Sequence, residues 1–296
     1  MNSLRYVGTV DNTLTTEQGQ YIAAQAKEAA RRVFQGRKLF ASAVRKIDSG
    51  AQTYGYDTLT HGNGAAFDYT YPGKQSLDAV NLTRSTVAIP NIHKEFHISK
   101  LDLASSRMTG TPLNTTQAES AAYKVAYAED SMLINGWSQD GTTYEVSGLY
   151  QAAGNSEASS LDWAGNTYAN IVTSINATKA LLRADNILPP YNLVIHPDQA
   201  TQADTLISST AVSYRDWIER QLEGGAVYVT PAITAGTGLM CAANPNGAFE
   251  YVVAEDISTV TETESVKDGE GLFGRVYVRA LPVVYDSNAI CKMTTI

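Results

Sequence analysis

The stretch Ala122–Asp140, AYKVAYAEDSMLINGWSQD, sets two carboxylates, Glu129 and Asp130, side by side in an otherwise mild segment. Whether they form an acid/base pair or serve the structure decides what kind of protein this is. Just upstream, Thr116-Gln117-Ala118-Glu119 has the spacing of a capping box, in which a hydroxyl and a carboxylate each satisfy a backbone amide at a helix start. Ala118, Ala121, Ala122, Val125, Met132 and Leu133 then recur at helical spacing, and Gly136 suits a left-handed C-terminal cap. Consecutive side chains on a helix diverge by about 100°, so Glu129 and Asp130 cannot converge on one substrate atom. One can meet a basic partner on the core side while the other faces solvent. A structural ion pair or polar flank is therefore expected over catalysis.

The rest of the chain agrees with a globular α+β protein. It has 296 residues, 44% hydrophobic and 18% charged, enough for one large domain or two interleaved ones. A formal net charge of −8 argues against a dedicated nucleic-acid binder, although local patches still count. The charge is uneven. Lys27, Arg31, Arg32, Arg37, Lys38, Arg45 and Lys46 are opposed in their stretch only by Glu28. Glu250, Glu255, Asp256, Glu262, Glu264, Asp268 and Glu270 are opposed only by Lys267. These are either two solvated faces or the poles of a subunit whose basic surface meets something acidic. Cys241 and Cys291 make no CxxC pair, which excludes a disulfide scaffold and a zinc motif and points to a reducing cytosol. Cys241 is expected to pack as a small hydrophobe, while Cys291 could crosslink to a neighbour on oxidation. No apolar run approaches the roughly 18 residues that span a bilayer, and no leader is apparent, so no membrane partner is expected.

Residues 1–14 read as an extended arm. Thr15 to about Gly36 read as a helix with an apolar stripe of Ile22, Ala26, Ala29, Ala30 and Val33. Residues 41–88, rich in glycine and tyrosine, are too long for an ordinary connection and suggest a projecting two-stranded arm whose aromatics need a partner surface. Ile92, Lys94, Phe96, Ile98 and Leu101 alternate with polar residues, as in a strand. A second long helix is expected from Ser160 to Asn186, a buried strand at Tyr191–His196, and a helix at Arg215–Glu223 followed by two glycines and a strand. Late long strands form a hairpin around Asp268-Gly269.

Chemistry finds little support. His93, Glu95 and His97 would share one strand face at metal-ligand spacing, but a polar strand face is the simpler reading, and no metal or other cofactor is expected. No nucleophile elbow, dinucleotide fingerprint or phosphate loop occurs, so the protein is not expected to be an enzyme.

Several segments, in order, resemble the encapsulins (linocin-like shell proteins) and the encapsulin-like major capsid proteins of tailed viruses. They are TTEQGQYIAAQAKEAARRVFQGRKLF, AESAAYKVAYAEDSMLINGWSQDG with its following GLY, YNLVIHPDQ, and YRDWIERQLEGGAVYVTPAI. The resemblance implies the Hong Kong 97-type capsid fold. Its parts would be an N-terminal arm and helix at 1–40 and an extended loop at 41–90. A peripheral domain would follow at 91–140 and 252–296, with the opening stretch as its spine helix, and an axial domain at 141–251. Glu129 and Asp130 would then be structural. Tyr54, Tyr56, Phe67, Tyr69 and Tyr71 of the loop would pack on an adjacent subunit. The implied function is a structural major capsid protein, self-assembling through pentamers and hexamers into an icosahedral shell around viral double-stranded DNA. The alternative is an encapsulin nanocompartment enclosing enzyme cargo. The loop at 41–88 is longer than in encapsulins and favours the viral reading. So do Arg31, Arg32, Arg37 and Lys38, which would suit a lumen touching DNA phosphates non-specifically. Portal, scaffold and decoration proteins would be further partners. The protein would be assembled in the host cytoplasm and reside in the virion.

Overall fold

A computed structural model describes residues 16–31, 35–60, 81–109, 115–158, 161–164, 168–207, 212–245, 247–262 and 271–296. Helix α1 (Thr16–Arg31) buries Ile22 and Ala26. Gly36, expected as its stop, instead opens a second short helix, α2 (Gly36–Leu39). The glycine is needed for close approach: a Cβ there would lie 2.8 Å from the Asp130 Oδ1.

Strand β1 (Val44–Lys46) precedes the projecting arm, which is a two-stranded antiparallel ribbon as expected: β2 (Thr53–Thr60) pairs with β3 (Asn81–Ala88), from Thr53↔Ala88 to Thr60↔Asn81. Strand β4 (Asn91–Ser99) turns Phe96 and Ile98 inward. It stops sooner than its alternation suggested, because helix α3 (Lys100–Thr109) begins at once and leaves Leu101 79% exposed.

The opening stretch is helical, within α4 (Thr116–Asn135). Its Ala118, Ala121, Ala122, Val125 and Ala126 face the core, and their small size lets α1 lie close against them. The expected capping box does not form. The N-cap is Thr115, and its hydroxyl bonds the Glu119 carboxylate at 2.5 Å rather than a backbone amide. At the other end Gly136 has φ 87° and its N–H donates to the Met132 carbonyl at 2.9 Å. A Cβ there would sit 2.5 Å from the Val146 carbonyl oxygen.

Then come α5 (Leu149–Ala152), β5 (Asn155–Glu157), α6 (Tyr168–Ala184), β6 (Tyr191–Ile195), α7 (Pro197–Ala203) and α8 (Tyr214–Gln221). The chain ends with β7 (Val227–Val229), β8 (Gly238–Ala242), β9 (Phe249–Glu262), β10 (Gly271–Val284) and β11 (Ile290–Met293). Helix α6 starts later than Ser160, at Tyr168, after a segment in which the Asp162 carboxylate accepts from the Ala164 N–H. A capping box does form at α8, between Ser213 and Asp216.

Two sheets carry the cores. The first has the order β1-β9-β10-β4, with β1 parallel to β9, and packs against α4. The second has the order β5-β11-β8-β6-β7, and every residue of two of its inner strands, β6 and β8, is buried. Strand β11 thus joins the sheet built from residues 141–251 instead of the 252–296 group, and a boundary at 252 would cut through β9. The hairpin strands β9 and β10 pair from Phe249↔Val284 to Glu262↔Phe273, while the expected turn at Asp268-Gly269 lies outside the described residues.

Candidate functional site

Both members of the opening carboxylate pair are buried, Glu129 at 0% and Asp130 at 1% exposure, so neither faces solvent. Divergence on the helix sends them to different partners. Glu129 accepts from Arg37, with Nε at 2.6 Å and Nη2 at 3.1 Å, and from the Tyr251 hydroxyl. The same guanidinium reaches Asp256 at 2.7 Å and lies over the Tyr251 ring, 5.7 Å from its centroid. Asp130 accepts from the Gly36 N–H at 2.5 Å and from the Thr230 hydroxyl at 2.9 Å. Thr230 in turn accepts from the Ala232 N–H at 3.2 Å. One carboxylate is fixed by charge and the other by neutral donors.

Burial raises the Glu129 carboxyl above its ordinary range, against the opposing pull of Arg37. Burial also raises Asp130, partly offset by the Gly36 N–H and the Thr230 hydroxyl. Burial works against the Arg37 charge too, but Glu129 beside it holds that group above its ordinary value. For Asp256 burial is outweighed by Arg37, and its carboxyl is lowered. These groups brace α2, α4, β9 and the segment after β7.

The uneven charge of the sequence resolves in the same place. Members of the basic and acidic stretches meet at two points: Arg37 pairs with Asp256 at 2.7 Å, and Arg45, on β1 beside β9, approaches Glu250 at 3.6 Å. Arg37, expected to face DNA, is instead held by acids of its own chain. Lys38 is exposed and donates to Gln35 at 3.1 Å. Arg31 lies in α1 with its side chain outside the described residues, as does the whole of Arg32.

At the root of the arm, Tyr54 and Tyr56, expected to pack on a neighbouring subunit, also make contacts within their own chain. The Tyr54 hydroxyl donates to Glu250 at 2.7 Å, and the Tyr56 ring stands edge-on to Tyr285, centroids 5.5 Å apart. Phe67, Tyr69 and Tyr71 lie outside the described residues. On β4, Glu95 pairs with Arg275 at 2.7 Å and the His97 ring packs 4.8 Å from that of Phe273. Among the described residues no three histidine, cysteine or acidic side chains are grouped to hold a metal ion, and no helix is long and apolar enough to cross a membrane. Cys291, like Cys241, is fully buried, which removes it from any surface crosslink.

Residues 6–265 match the family Linocin_M18, described as encapsulating protein for peroxidase. The chain belongs to this family. Among curated relatives, this linocin-family chain is 27% identical over 238 residues to the type 1 encapsulin shell protein EncA of Myxococcus xanthus, covering 79% of each. It is 30% identical over 164 residues to a diheme-cytochrome-encapsulin shell fusion protein of Kuenenia stuttgartiensis, covering 55% of this chain but only 42% of that relative. The fold is the Hong Kong 97-type capsid fold. A virus-like particle from Pyrococcus furiosus superposes with TM-score 0.66 at 16% identity, covering 94% of this chain and 98% of that one. The capsid of Myoviridae phage XM1 gives TM-score 0.65 at 13% identity, over 86% and 90%. At those identities the structures speak for fold alone.

Proposed function

We propose that this chain is the structural subunit of a closed encapsulin-type compartment that encloses protein cargo, with no catalysis of its own. The family match across residues 6–265 carries this reading. Two features support it. The carboxylates at the centre of the sequence brace the fold, and Arg37, a cation that a DNA-filled lumen would use, is committed to Glu129 and Asp256. Assembly would use patches that are not self-complementary, so that contacts propagate into rings and a closed surface. Each contact can be weak, because many act together.

Electron microscopy of the protein expressed alone, with absorbance at 260 and 280 nm on particles from the native source, tests the proposal. Closed particles with a protein-like absorbance ratio and co-purifying polypeptides are expected. A nucleic-acid ratio in closed native particles would instead establish the second reading, a viral capsid, which the phage-capsid likeness and the projecting arm favour. The virion location and the portal, scaffold and decoration partners belong to that reading alone.

A further inference from the structure

The arm is held at its root. Ile47, Ala51, Tyr54, Tyr56 and Val87 pack on a small core of Met132, Val146, Val252, Leu281 and Val283. Past Tyr56 the ribbon has exposed residues on both strands, including Asp57, Leu82, Thr83 and Arg84. Two polar devices reinforce the anchored part. Arg279 donates to the carbonyls of Ser49 and Ala51, the latter at 2.6 Å. At the second, a single oxygen, Glu250 Oε1, accepts both the Tyr54 hydroxyl at 2.7 Å and the Tyr285 hydroxyl. The two hydroxyls are themselves 3.3 Å apart, and Arg45 lies over the Tyr54 ring at 5.8 Å while approaching the same carboxylate. Tyr54 is on the arm, Glu250 on β9, and Tyr285 directly after β10. The carboxylate therefore joins the arm to both long strands of the first sheet.

We infer that Glu250 is a positioning residue that sets the direction in which the arm leaves the subunit, and with it the uniformity of the shell. The shell part rests on the function proposed above; the latch itself does not. The physical reason is leverage. Eight-residue strands make an arm about 25 Å long, so a tilt of about 10° at the root moves its far end by about 4 Å, close to one strand spacing. A neighbour met in the wrong register changes the angle between subunits. A carboxylate shared by two phenols is well suited to hold that angle, since charge-assisted hydrogen bonds are short and directional.

The test compares full-length protein with Glu250→Ala, Glu250→Gln and the double variant Tyr54→Phe/Tyr285→Phe, which keeps both rings in the core. Amide hydrogen exchange at residues 53–60 and 81–88 reports the latch in subunits, and particle diameters in the electron microscope report closure. Glu250→Ala and the double variant should speed exchange at the arm root about tenfold or more with β9 and β10 protected as before. Their particles should be open or mixed in diameter. Glu250→Gln should fall between the parent and Glu250→Ala, because its amide oxygen still accepts both hydroxyls but without the charge. Unchanged exchange and uniform particles in Glu250→Ala and the double variant overturn the inference. So does a failing Glu250→Gln beside an intact double variant, because the hydroxyl bonds then carry nothing. If the parent closes no particle, the shell reading falls while exchange still decides the latch.

Discussion

Glu129 and Asp130 differ in what holds them, and that difference is measurable. Breaking a buried ion pair from one side leaves an uncompensated charge and typically costs about 3–5 kcal/mol. Arg37→Ala should therefore lower stability by about that amount, measured by urea or thermal unfolding of subunits. The loss should depend on pH. A carboxyl raised on folding favours the folded state below its unfolded pKa, and that contribution is lost as pH rises through the folded value. Burial already raises Glu129, and removing Arg37 takes away the main opposing influence. The deficit should be largest near pH 8 and shrink toward pH 5; an equal deficit at both would exclude the stranded carboxylate as its cause. The thiols give a second residue-level prediction. Burial pushes Cys241 and Cys291 up to about 12. Folded protein at pH 8 should resist alkylation at both and react only on unfolding, and rapid labelling in the folded state would contradict their burial.

At the scale of elements, α4 was legible in sequence while its caps were not. The alanine and valine positions face the core at the expected period, because small apolar residues at helical spacing fit little else. The capping box failed because the helix begins one position from where it was expected to cap, and the Thr115 hydroxyl takes a carboxylate instead of an amide. Gly136 succeeded for two reasons, a positive φ and the pressing Val146 carbonyl. Gly136→Ala should lower stability by more than about 1 kcal/mol, read as a drop in melting temperature, since alanine is strained at such a φ even without the clash. An unchanged melting temperature would mean that the turn relaxes freely. The arm likewise read correctly as a ribbon, while the contacts that Tyr54 and Tyr56 make within their own chain did not show. Nothing local in TYGY reveals that Glu250 and Tyr285 lie within reach.

For the whole molecule the arm and the two sheets have separable duties. Replacing residues 61–80 by a two-residue turn leaves the anchored rungs of β2 and β3 in place. The variant should stay soluble with parental circular dichroism and melting, but yield capsomers or subunits in size-exclusion chromatography rather than closed shells. Closed shells from it would sink the idea that the arm clasps a neighbour.

By itself the sequence determined the α+β class, the long helix with its buried stripe, the ribbon, the late hairpin strands and, through ordered resemblance, the shell family. These depend on periodicity and on motifs that survive in short windows. Only the tertiary structure decided the fate of the charges. Arg37 precedes Glu129 by 92 residues and Asp256 by 219, so no window contains the pair that neutralises it. Two of the basic residues find acids of the other stretch, Arg37 with Asp256 and Arg45 with Glu250. A charge pattern fixes which groups must find partners, whereas the topology chooses the partner, as it does for Arg37 with Glu129 and Asp256.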